Sequence, residues 1–348
     1  MIFKVTPCDV FFTVPTPEEL QKAEKTVANL CHERIMAIYK DNDATRQKVS
    51  VWLDAELEKM CATGTGFHFL ILRDIALCSR EAGYPIIALG NLSGSVIAYL
   101  LGITEIDPFE YYTPEIVWGL DTNTITPDCT IGIAPQVRPL IPKYLDSQHG
   151  FVPCDREMFR KISLVDVNTC EQLGVLAQET GKEPTVDDID NIVCLRATKD
   201  ILEEFSKENG TSIPLVEEFN QPENWNLRSL LRLYAFTKGE FSNGDNLMNL
   251  NSQDFFVTRE EFYHCLVQHN VPVEIALDIV KKGVWATGEK REKYNAILES
   301  YQVPASVKDY YTKVQHLWTM ASCAGRVLHK CYLAWYQEHF PEEYGNRC

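Results

Sequence analysis

The chain opens with apolar positions at helical spacing. In "TPEELQKAEKTVANLCHERIMAIY", Thr16 stands as an N-cap, Pro17 occupies the first helical position and glutamates fill the first turn, which predicts a helix. "DATRQKVSVWLDAELEKMCATG" repeats the device and stops at Gly64, and "FHFLILRDIALCSREAG" predicts a third helix ending at Gly83. The texture then changes. "YPIIALG" is short, apolar and bounded by Pro85 and Gly90, which suits a buried strand. A small-residue loop and the helix "SVIAYLLG" follow. After an irregular stretch to Thr126, "PDCTIGIAP" and "FRKISLVDV" read as two further strands. From Thr169 onward the pattern is almost only helical, with breaks near "GKEPTVDD", "GTSIP", "FNQPENW" and "GEFSNGDN". No internal repeat or low-complexity segment interrupts it. The expected fold is α+β: a small sheet with flanking helices over residues 1–168, then a mostly helical region over 169–348.

The stretch "GNLSGSVIAYLLG" has the shape of a phosphate cradle, a small-residue loop running into an apolar helix. It lacks the cation such a site needs. Ile86, Ile87, Ala88 and Leu89 lead into it, and the next lysine or arginine is Arg138.

Composition narrows the partners. The 348 residues, 45% hydrophobic and 24% charged, suffice for one large core or two modest ones. Lysine plus arginine number 33 against 49 acids, a net charge of −16. Gripping nucleic acid requires a segregated basic face to displace phosphate counterions, so this charge argues against such a partner. The sole linear basic cluster, "KKGVWATGEKREK", alternates with acids; single-strand binding would need a face built from Lys281, Lys282, Lys290, Arg291 and Lys293. The first twenty residues hold one lysine and an apolar run broken by Pro7 and Pro15, unlike a signal peptide, and no stretch is long enough to span a bilayer. A cytoplasmic protein with no membrane partner is expected. The twelve cysteines are scattered without a CxxC pair and read as small buried hydrophobes in a reducing compartment. "VDDIDN" lacks the glycine and glutamate of a calcium loop and reads as an acidic helix start. His264 and His269, five apart, do not share a metal-binding face. Trp318, Tyr332, Trp335 and Tyr336 are spaced for packing.

Five stretches in order carry a resemblance: "GYPIIALGNLSGSVIAYLLGITEIDPF", "ITPDCTIGIAPQVRPLIPKYL", "ISLVDVNTCEQLGVLAQETGKEPTVDD", "REEFYHCLVQHNVPVEIALDIVKKG" and "VPASVKDYYTKVQHLWTMASCAGRVLHKCYLAWYQEHFPEEY". Together, from about Ala28 to Tyr344, they resemble the palm and fingers of the bacterial DNA polymerase III alpha subunit of the PolC type. The resemblance implies a polymerase palm-like sheet and a fingers-like helical region.

It also implies where chemistry would sit, and this sequence departs there. The family's loop, of the form GSRGSxGSS, holds the incoming triphosphate with an arginine and serines; here Leu89 stands for the arginine and Asn91 for a serine, while Gly90 and Ser95 are kept. Two of the family's three metal-binding aspartates lie in a motif like PDIDLNF and the third in one like KLDILG. "PDCTIGI" and "SLVDVN" match these with Asp128 and Asp166 as first and third, and Thr130 in place of the second. A neutral hydroxyl is a poor magnesium ligand. The short segment from Thr130 to Leu164 leaves no room for the family's thumb, and its zinc knuckle is missing. In the fingers, a lysine and a histidine of a FPKAHAAAY-like motif are replaced by Met320 and Ser322. Trp318, Ala321, Ala324, Leu328, Leu333, Ala334, Trp335 and Tyr344 keep its packing pattern, and Lys281, Lys282 and Gly283 match a basic turn. The expectation is a catalytically inactive relative working through a protein partner, with the replication machinery as the candidate by analogy, and with no cofactor. The alternative is residual nucleotidyl transfer with magnesium at Asp128 and Asp166.

Overall fold

In the computed structural model the described residues are 2–5, 9–12, 15–111, 129–149, 152–153, 160–189, 226–238, 240–241, 256–283 and 286–346. The expected helices form where their caps place them. Helix α1 (Pro17–Ile38) begins with a full capping box, in which Thr16 Oγ1 accepts from the Glu19 amide and the Glu19 carboxylate accepts from the Thr16 amide. Helix α2 (Asp43–Thr63) is capped by the Asn42 side chain and stopped by Gly64; α3 (Gly66–Glu81) follows at once. α1 buries Ala23, Val27, Cys31 and Ile35, and α2 buries Val49, Leu53, Leu57 and Met60, each set spaced as one helical face.

The sheet is larger than the three strands expected. Its six strands are β1 (Ile2–Val5), β2 (Asp9–Phe12), β3 (Ile87–Leu89), β4 (Thr130–Ile133), β5 (Val152–Pro153) and β6 (Arg160–Asp166), in spatial order β3-β4-β6-β2-β1-β5. β4 and β6 run parallel, while β3 on β4 and β2 on β6 are antiparallel. Val10, Ala88, Ile131, Ile133, Ile162 and Leu164 are buried on one face and join the core beneath α1, α2 and α3. The α+β class holds.

Two compact units emerge, one of Met1–Ile189 with Ala324–Cys348, the other Asp190–Cys323. The sequence-based boundary at residue 168 falls elsewhere, because the helix Asn168–Thr180 belongs with the sheet: its Cys170 is fully buried, with Sγ 3.8 Å from the Gly132 carbonyl of β4. In the second unit, described helices include Leu227–Lys238, Arg259–Gln268, Val273–Lys282, Glu289–Ser300 and Ala305–Lys313. A two-stranded ladder pairs β7 (Glu240–Phe241) with β8 (Val314–His316). Phe256, Phe262, Tyr310 and Tyr311 pack together in this unit, Phe262 stacked between Phe256 and Tyr311 and Tyr310 edge-on to Phe256, with ring centroids 4.2–5.4 Å apart. Among the described residues no helix is long and apolar enough to cross a membrane.

Candidate functional site

Strand register assembles one row of side chains across the sheet. Leu89 of β3 pairs with Thr130 of β4, Thr130 with Ser163 of β6, and Ser163 with Asp9 of β2. Paired residues share a face and lie about 5 Å apart, so the row presents four neighbouring side chains on the face opposite Val10, Ile131 and Ile162. All four are half-buried. The Ser163 hydroxyl donates to Asp9 Oδ1 at 2.9 Å, which holds the row's one carboxylate against its neighbour.

Asp166 is not in this row. It pairs with Ile133, three residues past the Thr130–Ser163 pair, which is about 10 Å along the strand. An odd offset also sends its side chain to the opposite face. There the Arg138 guanidinium donates to Asp166 Oδ1 from Nε at 3.2 Å and from Nη2 at 2.5 Å. Asp166 therefore cannot share an ion with position 130, and Ser163 is the β6 residue beside it. Asp128 lies outside the described residues.

The small-residue loop folds inward. Gly90 starts it with φ +63°, a left-handed conformation that favours glycine, and residues Gly90–Gly94 form a single 3-10 turn. The Ser93 hydroxyl donates to the Ala88 carbonyl at 2.6 Å. Ser95, fully buried, caps the short helix α4 (Val96–Leu100) by accepting from the Ala98 amide at 3.0 Å. Its hydroxyl donates in turn to Glu56 of α2. The Glu56 carboxylate also accepts from the Val96 amide at 2.8 Å and from the Ile97 amide at 3.4 Å. The amides that a phosphate would use at this helix start are thus bound to an internal acid. Burial raises the Glu56 carboxyl to about 7, against the pull of those hydrogen bonds. Leu89 packs on the core beside the loop.

In the second unit, Met320 is buried at the start of the helix Met320–His339, and its amide donates to Glu260 Oε1 at 2.9 Å. Thr319 caps the same turn, its hydroxyl oxygen accepting from the Ser322 amide at 3.1 Å and lying 2.6 Å from the Ser322 hydroxyl. Glu260 is fully enclosed, and burial raises it to about 7. Lys281 is half-buried; Lys282 pairs with Asp278 at 2.7 Å, one turn earlier on its own helix. Arg291 donates to the carbonyls of Gly283, Tyr311 and Val314 and lies 3.8 Å above the Tyr311 ring. It is a clamp for this unit's backbone rather than one element of a basic surface.

Sequence reading missed Asp9, Ser163, Glu56 and Glu260. Period-two alternation through "KISLVDV" could have shown Ser163 and Asp166 on opposite faces; matching by acid identity hid it. Asp9 gave no signal, since its strand was not recognised. Two bridged divalent ions need several anionic oxygens within a few ångströms. The row offers two hydroxyls and one carboxylate, and the described residues hold no cluster of three His, Cys, Asp or Glu. These residues do not fit a two-metal centre.

Comparison with known proteins finds similarity to one polymerase family over part of the chain. The family "Bacterial DNA polymerase III alpha NTPase domain" matches residues 25–154, from α1 through β5, which includes β3, the loop and β4. The "DNA polymerase III PolC-type" of Thermotoga maritima is 31% identical over 101 residues, 28% of this chain and 7% of that protein. The protein of the same description from Streptococcus sanguinis is 29% identical over 100 residues, 29% of this chain and 6% of its own length. That from Streptococcus suis is 28% identical over 89 residues, 26% and 6% respectively. The aligned stretch therefore spans less than a tenth of these relatives.

Proposed function

We propose that this chain is a relative of the PolC-type alpha subunit that no longer transfers nucleotidyl groups and works by binding a protein partner. The row Leu89–Thr130–Ser163–Asp9 carries the reading. In phosphoryl transfer the protein supplies position and charge, through metal ions bridged by carboxylates and a cation on the triphosphate. At the two row positions that the resemblance assigns to that machinery, Leu89 and Thr130 are uncharged, and the β6 neighbour is a serine. A leucine has no donors for a triphosphate and a threonine hydroxyl does not neutralise magnesium.

The core beside the row is well packed, with Ile87, Ile131 and Ile162 buried, as expected for a chain kept for its surface and shape. The charge of −16 favours a protein partner over a polyanion, and the engagement of Lys282 and Arg291 within the second unit supports that preference. A component of a replication machinery is the partner suggested by analogy with the relatives. Primer extension by the purified chain with magnesium or manganese tests the reading. No incorporation is expected, and template-dependent incorporation abolished by Asp128→Ala or Asp9→Ala would overturn it.

A further inference from the structure

A cavity of about 710 Å³ opens in the first unit, apart from the row: it is bordered by Pro85, ahead of β3, while Leu89 ends that strand. That volume suits a compound of nucleotide size. Four tyrosines line it, Tyr84, Tyr99, Tyr332 and Tyr336. Three of their hydroxyls are tied off. Tyr332 donates to Glu105 at 2.8 Å, Tyr336 to the Lys182 carbonyl at 2.5 Å, and Tyr99 is hydrogen-bonded to Tyr39. With those polar tips fixed, the rings are held in place as apolar, π-bearing walls. Tyr84 is set by close contact with the backbone of the helix Asn168–Thr180, for a Cβ at Gly174 would come within 2.2 Å of its Cδ1.

Two arginines, Arg34 of α1 and Arg80 of α3, stand on the same lining and are exposed. Arg80 is oriented by its Nη2, which donates to the Gly102 carbonyl at 2.5 Å. The acid Glu105 is engaged by Tyr332, and Glu183 offers an acceptor for amino or hydroxyl groups. Rigid aromatic faces, two guanidinium groups and an exposed carboxylate at one cavity are complementary to a base, a phosphate and a ribose. We infer that this cavity binds a mononucleotide, its base among the tyrosine rings and its phosphate on Arg34 and Arg80.

Titration calorimetry of the full chain with adenosine 5′-monophosphate tests this, with adenosine and inorganic phosphate as separate arms. The nucleotide should bind saturably, at roughly millimolar affinity or tighter, and each fragment about tenfold more weakly or worse. Arg34→Ala, at an exposed position, should keep the unfolding temperature and weaken the nucleotide about tenfold. Tyr84→Ala should weaken adenosine as well. Absence of binding at millimolar nucleotide, equal affinity in Arg34→Ala, or binding lost in Leu89→Asp on the sheet row would overturn the proposal. Arg34→Ala decides the matter if Tyr84→Ala fails to fold. Primer extension does not bear on it, so its failure and that of the pseudoenzyme reading are separable.

Discussion

Two regions of the first unit treat charge in opposite ways. On the sheet face, where the relatives' resemblance places an arginine and an aspartate, the chain has Leu89 and Thr130 beside Ser163, and only Asp9 is ionic. At the start of α4 the chain places Glu56 of α2, buried and bound to two amides and a hydroxyl. The second unit repeats the contrast, with uncharged Met320 and Ser322 where the resemblance implies a lysine and a histidine, and a buried Glu260 on the Met320 amide. A charge whose only partner is a substrate can be lost without harm to folding. A charge that satisfies buried amides cannot, because its removal leaves donors without water or acceptor.

The sharpest way to break this comparison is Glu56→Ala. It would orphan the Val96 and Ile97 amides and the Ser95 hydroxyl and leave a cavity in α2's packing, for a loss of about 3–5 kcal/mol. Urea denaturation followed by far-ultraviolet circular dichroism measures it. A loss below about 1 kcal/mol would show that the acid does not hold the helix start.

Next in size is the pH response. Burial raises Glu56 and Glu260 to about 7 from an ordinary 4.5, so each binds its proton more tightly folded than unfolded. The sign follows from linkage: these groups favour the folded state fully below pH 4.5, and that contribution drains away as pH rises to about 7. The loss is at most on the order of 3 kcal/mol per group. Denaturation midpoints at a series of pH values should fall across that window, and Glu56→Gln should flatten its share. A midpoint that rises with pH there, in wild type and variant alike, would reverse the assignment.

How much of this was legible in the chain differs by scale. Helix starts were, because Thr16, Glu19 and Gly64 act on backbone groups within a few residues. β3, β4 and β6 were also read, as short apolar runs between Pro, Gly and polar residues. β1 and β2 were not: "MIFKVTPCDVFF" is broken by Pro7, and a hairpin of four-residue strands depends on partners far along the chain. The site was legible only through the resemblance, as uncharged residues at Leu89, Thr130, Met320 and Ser322. Its cross-strand neighbours, Asp9 and Ser163, lie 154 residues apart, and Glu56 meets Ser95 across 39. Such contacts are set by packing, which local pattern does not encode.

Within the row, smaller effects should follow. Ser163→Ala removes a half-buried hydrogen bond to Asp9 and should cost about 1 kcal/mol, while Thr130→Val at the neighbouring position should stay within about 0.5 kcal/mol. Destabilisation of several kcal/mol by either change would mean that the row serves folding, which removes its contrast with Glu56. Thermal unfolding with and without magnesium sharpens the same point: no stabilisation by the ion should be lost in Asp9→Asn.

The smallest expected effect lies in the second unit. Lys282 contacts Asp278 at 2.7 Å on an exposed helix face, with 61% and 43% of the two side chains exposed. Solvent screens such a pair, and holding both side chains costs entropy, so Lys282→Ala should change stability by no more than about 0.5 kcal/mol. A double-mutant cycle with Asp278→Ala isolates the coupling from other effects of either substitution. A coupling above about 1 kcal/mol would place this lysine with Glu56 and Glu260, among charges held for folding. A negligible coupling leaves it as an exposed cation with little folding role.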